Sequence, residues 1–292
     1  MTIDIHTLAS GPGWCVRDVV CTAGPQDRPF EERHASVCLA AVTHGTFRYR
    51  SAQGAALLAP GAVLLGNHGH CFECGHEHGS GDRCVSVHFA PEFWEDIVAA
   101  VPGARTATFS LPRLPPLPPL EPPIAALVAA CRDRDASELE ELAVAFAGAV
   151  AAIQRGPARA RRAASPRVER RISDAVRRIE HDAQDASSAR CSLAALAREA
   201  AMSPYHFLRV FRQIVGMTPH PYVLRMRMHR AAVRLRRSNE PVSTIAFDAG
   251  FNDLSTFNRR FRRIMGASPT AFRTQRRVAP APHSMAPRLL AQ

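Results

Sequence analysis

The chain has 292 residues, 46% of them hydrophobic, with 37 cationic residues that are all arginine, 26 acidic residues and a net charge of +11. That length argues for about two domains, each large enough for its own core. No apolar run approaches the roughly 18 residues that a membrane span needs, which excludes a membrane partner of that kind.

The opening segment MTIDIHTLAS lacks the basic and apolar regions of a secretory leader, so a cytoplasmic location is expected. Eight cysteines in that setting argue against a disulfide framework. Charge is uneven: residues 1–155 sum to about −6 and residues 156–292 to about +17. A basic field confined to one half makes nucleic acid the leading partner, because neutralising phosphates releases counterions.

In chain order, VCLAAV, FRYR, AALLA and AVLLG, between 37 and 66, read as short strands separated by the turns SAQG and Pro60-Gly61. CVSVHFA at 84–90 reads as another. Strands so closely spaced predict a small β barrel or sandwich. Between them lies a stretch dense in His and Cys: His68, His70, Cys71, Glu73, Cys74, His76, Glu77 and His78, followed by Cys84 and His88. In strands, His68 and His70 would share one face, as would Cys84 and His88, and neighbouring strands would bring the four together. His68, His70, Cys71, Cys74, Cys84 and His88 are therefore candidate ligands for Zn, Ni or Cu. Two other readings stay open: a redox-active CxxC with a stabilised thiolate, and a polar hairpin with buried thiols. His34, His44, Cys15, Cys21 and Cys38 stand alone and read as structural.

The run LPPLPPLEPP, ending at Pro123, reads as an extended connector that is neither helix nor central strand. IAALVAACRDRD and SELEELAVAFAGAVAAIQ then have helical spacing, with Ser137 and Glu140 in capping-box register. This helix pair would pack on the β domain or form a dimer contact. Cys131 and Cys191 fall in helical patterns and read as core. GPARARRAASP reads as a flexible basic linker over 156–166. It separates a regulatory and dimerisation domain (1–155) from a helical domain (167–276), and residues 277–292 are expected to be disordered.

The helical domain contains an internal repeat. Leu193, Leu196, Ala197, Ala200, Ala201 and Ser203 recur as Val242, Ile245, Ala246, Ala249, Gly250 and Asn252, at an offset of 49. Phe207, Phe211, Ile214, Gly216, Thr218 and Pro219 recur as Phe257, Phe261, Ile264, Gly266, Ser268 and Pro269, at an offset of 50. Tyr222 has its counterpart in Phe272. Each copy has the parts of a helix-turn-helix: a short first helix, a small residue at the turn, an N-capped second helix and a terminating glycine. With the phenylalanines inward, Tyr205, His206, Leu208, Arg209 and Arg212 point outward from the first copy. Ser255, Asn258, Arg259 and Arg262 do so from the second. Arg and Asn at such positions pair with guanine and adenine edges, or meet phosphate. Pro219 to about Arg237 reads as a helix long enough to hold two recognition helices near one turn of DNA, with Leu224, Met228, Ala231, Ala232 and Leu235 on one stripe.

Over roughly residues 168–275, and most specifically from Val242-Ser243-Thr244-Ile245-Ala246-Phe247-Asp248-Ala249-Gly250-Phe251 through Phe257, Phe261, Gly266, Ser268, Pro269, Phe272 and Arg273, the chain resembles the AraC/XylS family of bacterial transcription regulators. The resemblance implies promoter-specific DNA binding, usually activation together with RNA polymerase, under a regulatory N-terminal domain that is often cupin-like. It places base reading on Tyr205, Leu208 and Arg209 and on Leu254, Ser255, Asn258 and Arg259. Leu208 and Leu254 replace the polar residues often found there and favour thymine methyl contacts. Pro60-Gly61 and His68-x-His70 resemble the first metal motif of cupins, whose second motif is missing.

The expected molecule is thus a multi-domain protein: an all-β cupin-like barrel with flanking helices, then an all-α domain of two helix-turn-helix units joined by a long helix. It would be a non-enzymatic regulator answering a metal ion or small molecule. The competing classes are a cupin metalloenzyme using Glu73 or Glu77 with an accessory DNA-binding domain, a thiol-redox regulator, and a nonspecific architectural DNA binder.

Overall fold

A computed structural model describes residues 3–27, 29, 31–76, 81–104, 106–131, 136–154, 164–182 and 192–274. Most of the expected linker, the expected tail, Cys191, Glu77 and His78 lie outside them.

The N-terminal strands are β1 (Ile3–Gly11), β2 (Trp14–Cys21), β3 (Glu31–Arg33), β4 (Val37–His44), β5 (Phe47–Ser51), β6 (Gly54–Leu58), β7 (Val63–Gly66), β8 (Cys71–Gly75), β9 (Asp82–Phe89) and β10 (Arg113–Leu114). They form two antiparallel sheets, ordered β1-β2-β9-β4-β7-β10 and β3-β8-β5-β6. The larger sheet is covered on both faces. Val37, Leu39 and Ala41 of β4 join the core shared with the helices, whereas Cys38, Ala40 and Val42 face the smaller sheet. Two buried faces explain why VCLAAV is continuously apolar rather than alternating.

The outer face is covered by α1 (Pro91–Ala100), α2 (Glu121–Ala130) and α3 (Ala136–Ile153), which contribute Trp94, Ile124, Leu127, Leu139, Phe146 and Val150 to that core. Cys131 is buried there as expected. The proline run needs correction. Pro118–Leu120 form a 3-10 turn, and Pro122 and Pro123 sit in the first turn of α2. A first turn has no intrahelical partner for its N–H groups, so proline costs little there. Ser137 lies inside α3, which begins at Ala136, and so does not precede the helix as a capping box requires.

The C-terminal half is helical: α4 (Pro166–Asp182), α5 (Leu193–Glu199), α6 (Pro204–Val215), α7 (Pro219–Arg237), α8 (Val242–Asp248), α9 (Leu254–Met265) and α10 (Pro269–Thr274). Two cores result. In the first, Ile172, Val176 and Ile179 of α4 pack on Leu196, Phe207, Phe211, Tyr222 and Met226. In the second, Met228, Ala231, Ala232 and Leu235 of α7 meet Ile245, Phe257, Phe261 and Phe272. The long helix thus serves one core with each half. The expected β barrel with flanking helices and the two helix-turn-helix units on a connecting helix are both present.

The two halves are docked. Leu57 and Ala59 enter the first helical core, and Ala125 of α2 enters the second. Arg48 pairs with Glu169 at 2.7 Å, Arg225 with Glu121 at 3.3 Å, and Arg237 donates to the Val128 carbonyl at 2.7 Å. The pair α2 and α3 was expected to pack or to dimerise; α3 packs on β1 and β2, and α2 packs on α7.

Candidate nucleic-acid interface

Each helix-turn-helix is built from local sequence. Ser203 caps α6 by accepting from the His206 N–H at 3.3 Å, with Pro204 at the first helical position. Asp253 caps α9 by accepting from the Thr256 N–H at 2.7 Å, and that backbone bond holds its carboxyl below the ordinary range. The two turns match: Ala201 and Gly250 have φ of 48° and 80°. In the first, the Met202 N–H reaches the Ala197 carbonyl at 2.9 Å; in the second, Phe251 reaches Ala246 at 3.2 Å. Gly216 and Gly266 end α6 and α9 in left-handed conformation.

Phe207, Phe211, Phe257 and Phe261 are fully buried, and the opposite faces are presented outward. Tyr205 is 78% exposed, Arg209 and Arg212 are exposed, and His206 and Leu208 are partly so. On α9, Leu254, Ser255, Asn258, Arg259 and Arg262 are all exposed. Ile264, the repeat counterpart of the buried Ile214, is only half-buried, and Met265 is buried in that core. At 19 residues, α7 is about 28 Å long. Arg259, Arg260 and Arg263 also line a cavity of about 520 Å³ shared with His220, Leu224 and Pro118.

The N-terminal His and Cys residues do not assemble as expected. His68 and His70 lie in an exposed turn, where His70 Nδ1 bonds Gln53 at 3.1 Å. Cys71 and Cys74 are on β8, whereas Cys84 and His88 are on β9, in the other sheet. Cys74 and Cys84 touch the core between the sheets. His88 is held by Ser36 and Ser86, each at 3.1 Å, and burial lowers its pKa to about 4. The four therefore do not meet through adjacent strands.

The redox reading meets two obstacles. Cys71 and Cys74 are three residues apart in one strand, so their Cα atoms are about 10 Å apart and their side chains point to opposite faces. Burial, and then nearby negative charge, also pushes the Cys74 thiol up, away from the thiolate.

Cys21, read as structural from its isolation, instead lies beside His76 and Asp82. Their ligand atoms fall within 4.8 Å of one another, the single such group of three among the described residues. Burial opposes charge on His76, but its bonds to Asp82 and Cys21 prevail and raise its pKa to about 9. Nothing local in the sequence marks this trio, because positions 21 and 82 meet only through the β2–β9 register.

Comparison with known proteins gives two matches along the chain. Residues 20–201 match the AraC-like ligand binding domain, and residues 196–275 match a helix-turn-helix domain. The chain is 37% identical over 81 residues to a probable transcriptional regulator, LumQ, of Photobacterium leiognathi, covering 28% of this chain and 33% of that protein. It is 44% identical over 78 residues to the HTH-type transcriptional regulator Rv1931c of Mycobacterium tuberculosis, covering 27% and 30%. These alignments span about a third of either relative. Among solved structures, the DNA-binding domain of AdpA, a global transcriptional factor in complex with a target DNA, aligns at 28% identity and a TM-score of 0.32, over 39% of this chain and 95% of that one.

Proposed function

This chain belongs to the AraC-like family of ligand-binding, helix-turn-helix proteins, and on that footing we propose that it is a sequence-specific, promoter-binding transcription regulator. The observation that carries this reading is the pair of matched helices, α6 and α9. Each buries its phenylalanines and presents a polar, arginine-bearing face, and the two are tied by one helix of about 28 Å. Two readers so linked suit successive major-groove segments on one side of the duplex.

In this reading Arg209, Asn258 and Arg259 read base edges, Leu208 and Leu254 meet thymine methyls, Tyr205 and Ser255 add contacts at the groove edge, and His206, Arg212 and Arg262 hold phosphates. The protein works by binding rather than catalysis, in the cytoplasm, as an activator that contacts RNA polymerase, and as a homodimer through the N-terminal half. Residues 1–155 receive the signal. Because that half is docked on α6 and α7, an effector that favours a different docking would shift the population able to engage both grooves.

Footprinting across genomic promoter fragments tests the proposal. Protection of two adjacent major-groove segments at a discrete site, persisting at physiological salt, is the expected result. Uniform, salt-sensitive coating of any duplex would overturn it in favour of an architectural binder.

A further inference from the structure

We propose that Cys21, His76 and Asp82 form a binding site for a divalent ion of the zinc class at the junction between the β domain and α4. Cys21 ends β2 and Asp82 begins β9, and the antiparallel register sets them opposite each other. His76 follows β8 directly, and its Nε2 lies 2.8 Å from Asp82 Oδ2. The thiol, imidazole and carboxylate lie within 4.8 Å of one another. A tetrahedral zinc ion with bonds of about 2.0–2.3 Å spaces its donors roughly 3.5 Å apart, so closure needs side-chain movements of about an ångström.

The donor set suits zinc, which takes sulfur, nitrogen and oxygen together, better than the hard cations that take oxygen alone. The three groups are sheltered: the side chains of His76 and Asp82 are each 6% exposed, and Cys21 is buried. A buried His–Asp pair would need no thiol beside it.

Two glycines make the convergence possible. A Cβ on Gly45, at φ 71°, would lie 2.2 Å from the Gly81 carbonyl oxygen and 2.8 Å from Asp82 Cα. A Cβ on Gly81, at φ 72°, would lie 2.5 Å from the Cys21 carbonyl oxygen. Only glycine lets these three segments approach so closely.

Three protein donors leave a fourth position for water or a further ligand. Cys21 and Asp82 open onto a cavity of about 380 Å³ whose far wall carries Arg177, Glu180 and His181 of α4. Glu180 is itself bound to His44 Nδ1 at 2.7 Å and to the Gly45 N–H at 3.2 Å. The site therefore faces the first helix of the helical half. Binding releases two protons to solvent, one from the Cys21 thiol and one from the His76 imidazolium, since the thiolate and the neutral imidazole are the ligands. The assignment does not depend on the chain being a regulator, because ion binding is read directly.

The test titrates the chelator-stripped full-length protein with Co²⁺ as an optical probe, then displaces it with Zn²⁺. One Co²⁺ per chain with a thiolate-to-cobalt charge-transfer band is expected. Cys21→Ser should abolish the band and weaken Zn²⁺ at least tenfold, whereas Cys71→Ser should leave both unchanged. If Cys21→Ser fails to fold by circular dichroism, His76→Gln serves instead, with the band retained and affinity at least tenfold weaker. Absence of a band in the unaltered protein, its survival in folded Cys21→Ser, its loss in Cys71→Ser, or full affinity in His76→Gln would overturn the assignment.

Discussion

Tyr222, on the helix that joins the two helix-turn-helix units, donates its hydroxyl to the Pro60 carbonyl of the β domain at 3.1 Å. Both residues are buried. At the equivalent place in the second unit stands Phe272, which packs edge-on against Phe261 as Tyr222 does against Phe211. The extra hydroxyl in the first copy thus has a partner outside the repeat. Tyr222→Phe keeps the ring but leaves a buried carbonyl unpaired, at a cost of about 1–2 kcal/mol. Denaturant unfolding of the full chain should show the loss, and an unchanged midpoint would remove this bond from the docking of the two halves.

Ala201 has a left-handed backbone, with φ 48°, where the second copy has Gly250. A side chain in that region costs roughly 1–2 kcal/mol, part of which glycine gives back through the freer unfolded chain. Ala201→Gly should therefore stabilise the protein by about 0.5 kcal/mol, and Gly250→Ala should destabilise it by about 1 kcal/mol. Thermal melts of the two variants check both signs, and equal shifts in the same direction would refute the shared turn geometry.

Glu121 sits between the two halves, facing Arg225, His229 and Tyr222. Burial pushes its carboxyl from 4.5 up to about 7, against the pull of Arg225. The folded protein thus keeps a proton that the unfolded chain gives up above about pH 4.5. The associated stability is full below that value and is lost as pH rises through about 7. His229 acts in the opposite sense over a lower window: burial lowers it from 6.5 to about 4, so its contribution is lost as pH falls through that range. Glu121→Gln removes only the first effect. Unfolding measured from pH 5 to 8 should show the unaltered protein losing ground to the variant by a few kcal/mol as pH rises. A difference that stays constant with pH would contradict this.

Arg259 is exposed on α9, beside Asn258. Arg259→Ala should cost about 1–3 kcal/mol at the cognate site and relax the preference at one base pair, whereas Arg262→Ala should weaken all duplexes alike and reduce the salt slope by about one. Binding titrations on the footprinted site and on single-base variants of it separate the two. If neither substitution changes base preference, Arg259 is a phosphate contact as well.

The helical half was legible in the sequence nearly to the residue, because its signals are local. The apolar spacing of Phe207, Phe211 and Ile214, the caps Ser203 and Asp253, and the glycines at 216 and 266 all act within one or two turns of helix. Repetition at offsets of 49 and 50 let one copy check the other. In the β domain the local signals marked several strands but missed β1, β2, β3, β10 and α1. It also misplaced the ligand cluster, since density of His and Cys along the chain says nothing about which sheet each strand joins.

Sequence alone therefore settled the two helix-turn-helix units, their outward faces and the charge that suits them to a polyanion, since each depends on neighbours within a few residues. Strand order was settled only in three dimensions. It put Cys71 and Cys74 in a different sheet from Cys84 and His88, and it brought Cys21 beside His76 and Asp82 across gaps of 55 and 6 residues. The docking of the two halves, through Tyr222, Glu121 and Arg48, belongs to the same class. Such contacts depend on chain paths far apart in sequence, and their energy comes from burial that exists only once those paths have met.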